Sequence, residues 1–146
     1  MADQFTILIA DRNPHVRGFL RRELIAEGYR VQVAKDGREV LRITDVEEPP
    51  ELVVLDLDMP YVSGLKILEE LQNRKSPVPV LIHTFLTEYA KHPAVQRAAG
   101  FCEKRGNNID SFKATVAQVL RKCHPRRFSS TPATREERTE NSFDAE

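Results

Sequence analysis

The chain has 146 residues, with 22 Lys and Arg against 22 Asp and Glu, so its formal net charge is zero. That length holds one ordinary domain, and the charge balance argues against a nucleic-acid-binding surface, which shows as a basic excess. At 40% hydrophobic and 30% charged, the composition is that of a globular protein. Its apolar runs are too short to cross a bilayer, and no cleavable leader is visible. The chain is therefore expected to be cytoplasmic, with neither a nucleic acid nor a membrane as partner. Two cysteines, Cys102 and Cys123, provide neither a disulfide framework nor a CxxC metal site.

Apolar, β-branched runs predict strands at 5–10, 29–34, 52–55, 78–82 and, more weakly, 100–103. The third and fourth are almost continuously apolar, as strands buried on both faces are. Between them run helical stripes. Val16, Phe19, Leu20 and Leu24 share one face, with Pro14 near the start and Gly28 just past the end. Val62, Leu65, Leu68 and Leu71 form a second stripe, with Ser63 as its cap. Ile109, Phe112, Val116, Val119 and Leu120 form another, capped by Asn107 or Asn108. Pro93 predicts a short or late fourth helix. Repeated strand–helix units imply an α/β fold, a parallel sheet with helices on both faces.

Composition changes after Cys123. Residues 124–146 carry four Arg, five acids and only two Phe, too little apolar surface to offset ordering entropy. The expected organisation is a folded domain over 1–123 and a flexible C-terminal tail over 124–146.

Ligand sites in open α/β sheets form at the carboxyl ends of the strands. Strand one runs out at Asp11, strand three at Asp56, strand four at Thr84 and strand five at Lys104. Two carboxylates, a hydroxyl and an ammonium at one sheet edge are the components of a phosphoryl-transfer site. His15, His83, His92 and His124 do not share ligand spacing with the cysteines, and Cys102 reads as a small buried apolar residue.

Four segments carry a resemblance: ILIADRNPHVRGFLRREL, LVVLDLDMPYVSGLKILEEL, VPVLIHT and GFCEK. Over roughly residues 5 to 122 the sequence resembles the response-regulator receiver (CheY-like) family of two-component signalling. The most specific block is Asp56, then Asp58-Met59-Pro60, then Gly64-Leu65. The resemblance implies a flavodoxin-like doubly wound fold with five parallel strands in the order 2-1-3-4-5. It implies that Asp56 accepts a phosphoryl group from a histidine kinase or phosphotransfer protein. By position, Asp11 matches an acid that holds Mg2+, Thr84 the hydroxyl that bonds the phosphoryl oxygen, and Lys104 the lysine that pairs with it. Phe101 matches the aromatic that reports the switch.

The sequence departs from the family pattern at three places. Arg12 stands where a second acid is usual. Mg2+ takes oxygen ligands, and a like charge at about 4 Å opposes it by about 4 kcal/mol at an effective dielectric of 20. The expected metal set is therefore Asp11, Asp56 and Asp58, binding weakly against Arg12, whose guanidinium is expected to fork onto this cluster. Phe85 replaces a small residue after Thr84, and its ring is expected to cover the pocket. Arg105 replaces a proline after Lys104, and a trans bond there is expected to change the aim of the lysine.

Two functional classes stay open. One is a stand-alone receiver in a phosphorelay, phosphorylated on Asp56 and acting on a downstream protein partner by contact. The other is a phosphorylation-independent pseudo-receiver, an interaction module in which Arg12 substitutes for the metal cation. No motif supports a small-molecule enzyme. Weak or transient self-association is expected through helix four, strand five and helix five, with Phe101, Ile109 and Phe112 in or beside that face and the last two equally readable as core.

Overall fold

The computed structural model describes residues 4–106 and 108–128. Five strands, β1 (Thr6–Ala10), β2 (Arg30–Ala34), β3 (Leu52–Leu55), β4 (Val80–Thr84) and β5 (Gly100–Glu103), form one sheet. All pairings are parallel, and the spatial order is β2-β1-β3-β4-β5. The expected strand order is thus the observed one. The fourth strand is entered later than its apolar run suggests, because Pro77 and Pro79 have no N–H to give the ladder. Pro79 takes part only as an acceptor, from the Val53 N–H at 3.0 Å.

Alternate residues along each strand feed two separate cores, as a period of two requires. On one face Ile7, Ile9, Val54 and Leu81 pack with Leu20 and Leu24 of α1 (Pro14–Ala26) and Phe112, Val116 and Leu120 of α5 (Ile109–Cys123). On the other, Leu8, Val53, Leu55 and Ile82 meet Val40 of α2 (Gly37–Thr44), Ile67, Leu68 and Leu71 of α3 (Gly64–Gln72), and Ala94 and Val95 of α4 (Pro93–Gln96). Burial on both faces explains why β3 reads as an unbroken apolar run.

Helix ends follow local chemistry. The Asn13 side chain accepts from the N–H groups of His15 and Val16, Ser63 from Lys66 and Asn108 from Ser111. Gly28 closes α1 at φ 98°, where a side chain would be strained. At Gly64 a Cβ would stand 2.3 Å from the Leu57 backbone, so only glycine lets α3 start this close to the loop after β3. The fourth helix is short, as Pro93 predicts, and a 3-10 turn at Thr87–Tyr89 precedes it.

The expected boundary at 123 falls inside packed chain. A 3-10 turn at Pro125–Arg127 brings Phe128 onto the Phe5 ring, stacked with centroids 5.6 Å apart, while Arg127 reaches Glu51 at 3.1 Å. The His124 ring nitrogen lies 2.9 Å from the Glu51 carbonyl oxygen. Residues 124–128 therefore cover the amino end of the sheet. The rest of the expected tail, 129–146, lies outside the described residues.

Candidate functional site

Asp11 and Asp56 follow the ends of the neighbouring strands β1 and β3, and both are buried, 2% and 5% exposed. Burying two carboxylates side by side without compensation is unfavourable. Lys104 compensates them. Its Nζ donates to Asp11 Oδ2 at 2.6 Å and to Asp56 Oδ2 at 2.7 Å, and its side chain is itself only 7% exposed. The lysine gets there because its N–H donates to the Thr84 carbonyl at 3.0 Å, continuing the β4–β5 ladder by one residue. Among the described residues no peptide bond is cis. The expected change of aim is not seen: Lys104 is directed at both acids.

The other carboxylate oxygens are also held. Asp56 Oδ1 accepts from the Thr84 hydroxyl at 2.8 Å and the Asp58 N–H at 3.0 Å. Asp11 Oδ1 accepts from the Asn13 N–H at 2.9 Å. Thr84 is fully buried, and its oxygen accepts in turn from the Leu86 N–H at 3.1 Å, so the hydroxyl is fixed as a donor toward Asp56. Burial raises the Asp11 pKa, outweighing the hydrogen bonds from Lys104 and Asn13. Burial also works against the Lys104 ammonium, but its hydrogen bonds to the two carboxylates, with their charges, prevail and raise its pKa.

Arg12 and Asp58 are outside this cluster. Their contact is one 3.4 Å approach between side chains 55% and 58% exposed. The expectation that Arg12 forks onto the buried acids is corrected here: the residue after Asp11 leaves the strand toward solvent, and the cation on Asp11 and Asp56 is Lys104. Phe85 does not cover the pocket either. It is 58% exposed, with its ring centroid 5.4 Å from Lys104 Nζ, and it lines a groove between α1 and α5. Phe101 is half-buried against the α3–α4 side of the core. Phe112 is core at 2% exposure and Ile109 packs beside it, so of the two readings of this pair the core one holds.

Sequence reasoning missed two supports. Arg17, one turn into α1, donates to the Asp11 carbonyl at 2.8 Å, and nothing local distinguishes it from Arg21 and Arg22. His83, on β4 just before Thr84, is half-buried against Phe112, with ring centroids 5.0 Å apart. Burial and then the Lys104 charge lower its pKa to about 4, against a smaller opposing effect of Asp56.

The fit to Mg2+ can be judged from the donors. Asp11 and Asp56 offer the hard carboxylate oxygens that this ion takes, and Mg2+ commonly keeps several waters and uses only one or two carboxylates. Asp58 does not complete a cage, since its carboxylate faces Arg12 at the surface. Among the described residues no three His, Cys, Asp or Glu groups are gathered for a metal. The site thus fits an ion held by two carboxylates, in competition with Lys104.

The family model for the response regulator receiver domain matches residues 7–117. Response regulator MprA of Mycobacterium bovis (strain BCG / Pasteur 1173P2) is 35% identical over 135 residues, covering 88% of this chain and 56% of MprA. Response regulator RR06 of Streptococcus pneumoniae is 44% identical over 77 residues, 52% of this chain and 34% of RR06. The chain spans about half or less of the length of these curated relatives. Among solved structures, response regulator TrrA of Thermotoga maritima in complex with Mg2+–BeF superposes with a TM-score of 0.72 at 29% identity, over 80% of this chain and 99% of TrrA. TrrA in complex with histidine kinase ThkA gives 0.71 at 30% identity, over 80% and 99%. Among the described residues no helix is long and apolar enough to cross a membrane. With the sheet order, the acid–lysine–hydroxyl cluster and these relatives in agreement, the chain belongs to the response regulator receiver family of two-component signalling.

Proposed function

We propose that this chain accepts a phosphoryl group on Asp56 from a histidine kinase or phosphotransfer protein and passes the signal on by contact with a downstream protein. The observation that carries the reading is the set of donors on the Asp56 carboxylate: Thr84 on one oxygen and Lys104 on the other. One Asp56 oxygen attacks phosphorus, the bond from phosphorus to the donor's imidazole nitrogen breaks, and the electron pair returns to the imidazole. The product is an acyl phosphate on Asp56. Lys104 and the Thr84 hydroxyl are within reach of the oxygens on which negative charge gathers, where such donors lower the barrier. A bound Mg2+, held by Asp11 and Asp56, would supply further neutralisation of that charge.

After transfer, Thr84 and Lys104 have new acceptors. Moving either draws on the loops after β4 and β5, and so shifts the surface around Phe101. The same reading keeps weak self-association on α4, β5 and α5, with Phe101 its partly exposed aromatic. That association should appear in light scattering at high concentration; a strict monomer with and without a phosphate mimic counts against it. TrrA is seen with the kinase ThkA, which supports a kinase as the phosphoryl donor for this chain.

The deciding experiment is incubation with acetyl phosphate and Mg2+, read by intact mass. A gain of one phosphoryl group that disappears in Asp56→Ala supports the reading. No gain overturns it and leaves the phosphorylation-independent interaction module, and a gain that persists in that variant overturns Asp56 as the acceptor. In that module the cation on the buried acids would be Lys104 rather than Arg12.

A further inference from the structure

A second pocket lies beside the acceptor site, on the side of α2. It has a volume of about 390 Å3, and beside Pro60 its lining includes six polar side chains, Arg12, Arg17, Lys35, Asp36, Arg38 and Tyr61. That volume is in the range of small-molecule sites. Four of these six side chains are cations, and they come from separate parts of the chain: the loop after β1, α1, the loop after β2 and the first turn of α2. We propose that this pocket binds a phosphate group, carried by a small molecule or present as the free ion.

Arg17 already donates to the Asp11 carbonyl at 2.8 Å, but the existing partners of the other three cations leave capacity for such an anion. Arg12 has its single 3.4 Å contact with Asp58. Arg38 is 3.6 Å from Asp36 Oδ2, beyond a good hydrogen bond, with its side chain 63% exposed. The exposed Lys35 ammonium makes no ion pair with a carboxylate among the described residues, while its backbone N–H donates to Glu39 Oε1 at 2.8 Å. Asp36, the one acid on the wall, is buried and spends an oxygen on the Glu39 N–H at 3.0 Å, capping α2. Planar guanidinium groups such as those of Arg12 and Arg38 match phosphate oxygens in pairs.

An independent feature holds the pocket in shape. Tyr61 is at φ 69°, the only non-glycine residue with positive φ among the described residues, and it is 75% exposed. A bulky residue kept in the left-handed region at a solvent-exposed turn is strained, and such strain is found at binding sites. The Tyr61 ring lies under the Arg38 guanidinium, whose carbon is 3.6 Å from the ring centroid. Stacking fixes the guanidinium plane and leaves its N–H edges available to an anion.

The test is a titration of the full chain followed by amide NMR shifts, with inorganic phosphate and glycerol phosphate as separate probes. Saturable shifts at Lys35, Arg38 and Tyr61 are expected in the millimolar range. A shift at Asp58 should accompany them as Arg12 turns to the anion. Equal affinities identify the free ion as sufficient, and tighter binding of glycerol phosphate identifies an organic phosphate. Arg38→Gln and Lys35→Gln should each weaken binding by about tenfold, the scale of one charge-assisted hydrogen bond. Both side chains are exposed, so neither change removes core packing. Asp56→Asn removes a neighbouring negative charge and should not weaken binding, which separates this pocket from the acceptor itself. Absence of saturable shifts, equal affinities in the Arg38 and Lys35 variants, or loss of binding in Asp56→Asn would overturn the proposal.

Discussion

Two cation–carboxylate clusters are made from neighbouring residues and differ in little but burial. Lys104 joins Asp11 and Asp56 at 2.6 and 2.7 Å, with all three side chains no more than 7% exposed. Arg12 and Asp58, one and two residues further along the same loops, meet at 3.4 Å with more than half of each side chain in water. In the buried cluster each charge depends on the others, because water cannot take a lost partner's place. In the exposed pair water already solvates both ions, and the contact adds little. The chemistry that matters to the acceptor is therefore concentrated on one side of a one-residue step. The comparison can be broken from either side.

The largest effect should come from Lys104→Met. It leaves two buried carboxylates facing each other without their cation, which should cost about 3–5 kcal/mol at neutral pH. The sign of the pH dependence identifies the cause. Repulsion raises a carboxyl pKa in the folded variant above its unfolded value, so that the folded state binds the extra proton. Acidification should then recover stability in Lys104→Met relative to wild type. Urea unfolding at pH 7 and pH 5 measures both quantities. A loss below about 1 kcal/mol would show that the buried cluster is no more coupled than the surface pair.

His83 extends the buried side to a single group. Its folded pKa of about 4 is below its ordinary 6.5. Between those values the unfolded chain binds a proton that the folded chain refuses, so stability rises with pH through this window and is lost as pH falls through it. The loss from pH 7 to pH 5 should be about 2 kcal/mol. His83→Gln should flatten that part of the profile, and an unchanged slope would place the acid sensitivity elsewhere.

The opposite end of the sheet supplies an aromatic control without a buried ionic cluster. Phe128 stacks on Phe5, and Arg127 lies 4.1 Å from the Phe5 centroid while pairing with Glu51. Phe128→Ala should lower stability by about 1 kcal/mol, with little dependence on pH. An unchanged melting temperature would mean that the segment rests on the sheet without holding it.

Much of this arrangement is legible in the sequence because strands announce themselves at their ends. Asp11, Asp56, Thr84 and Lys104 each follow an apolar run, and a parallel sheet brings such ends together. Less legible is α2, whose eight residues give too short a stripe, or the packing of His124–Phe128, where one aromatic among charges is a weak signal. Arg12 is the instructive failure. Adjacency to Asp11 suggests reach, but successive residues leaving a strand take opposite sides, and sequence distance does not say which side water occupies. Lys104 is the converse. Arg105 suggests a misdirected lysine, whereas one additional ladder bond to Thr84 sets its position.

The smallest effect, and the sharpest test of the comparison, belongs to Arg12 and Asp58. Arg12→Gln and Asp58→Asn should each change stability by less than about 0.5 kcal/mol, and a double-mutant cycle should give a coupling of the same small size that fades in high salt. Neither residue gives up a buried partner, so nothing is left unsatisfied when one is removed. Mg2+ affinity should respond more than stability. Arg12→Asp removes a cation near the acceptor and supplies a carboxylate, so calorimetric titration should show tighter Mg2+ binding than wild type, by about tenfold for each 1.4 kcal/mol gained. The two measurements separate a charge that matters to the fold from one that matters only to an incoming ion. A coupling above about 1 kcal/mol would show that exposure does not divide the two clusters, and equal Mg2+ affinity in wild type and Arg12→Asp would show that Arg12 does not oppose the ion.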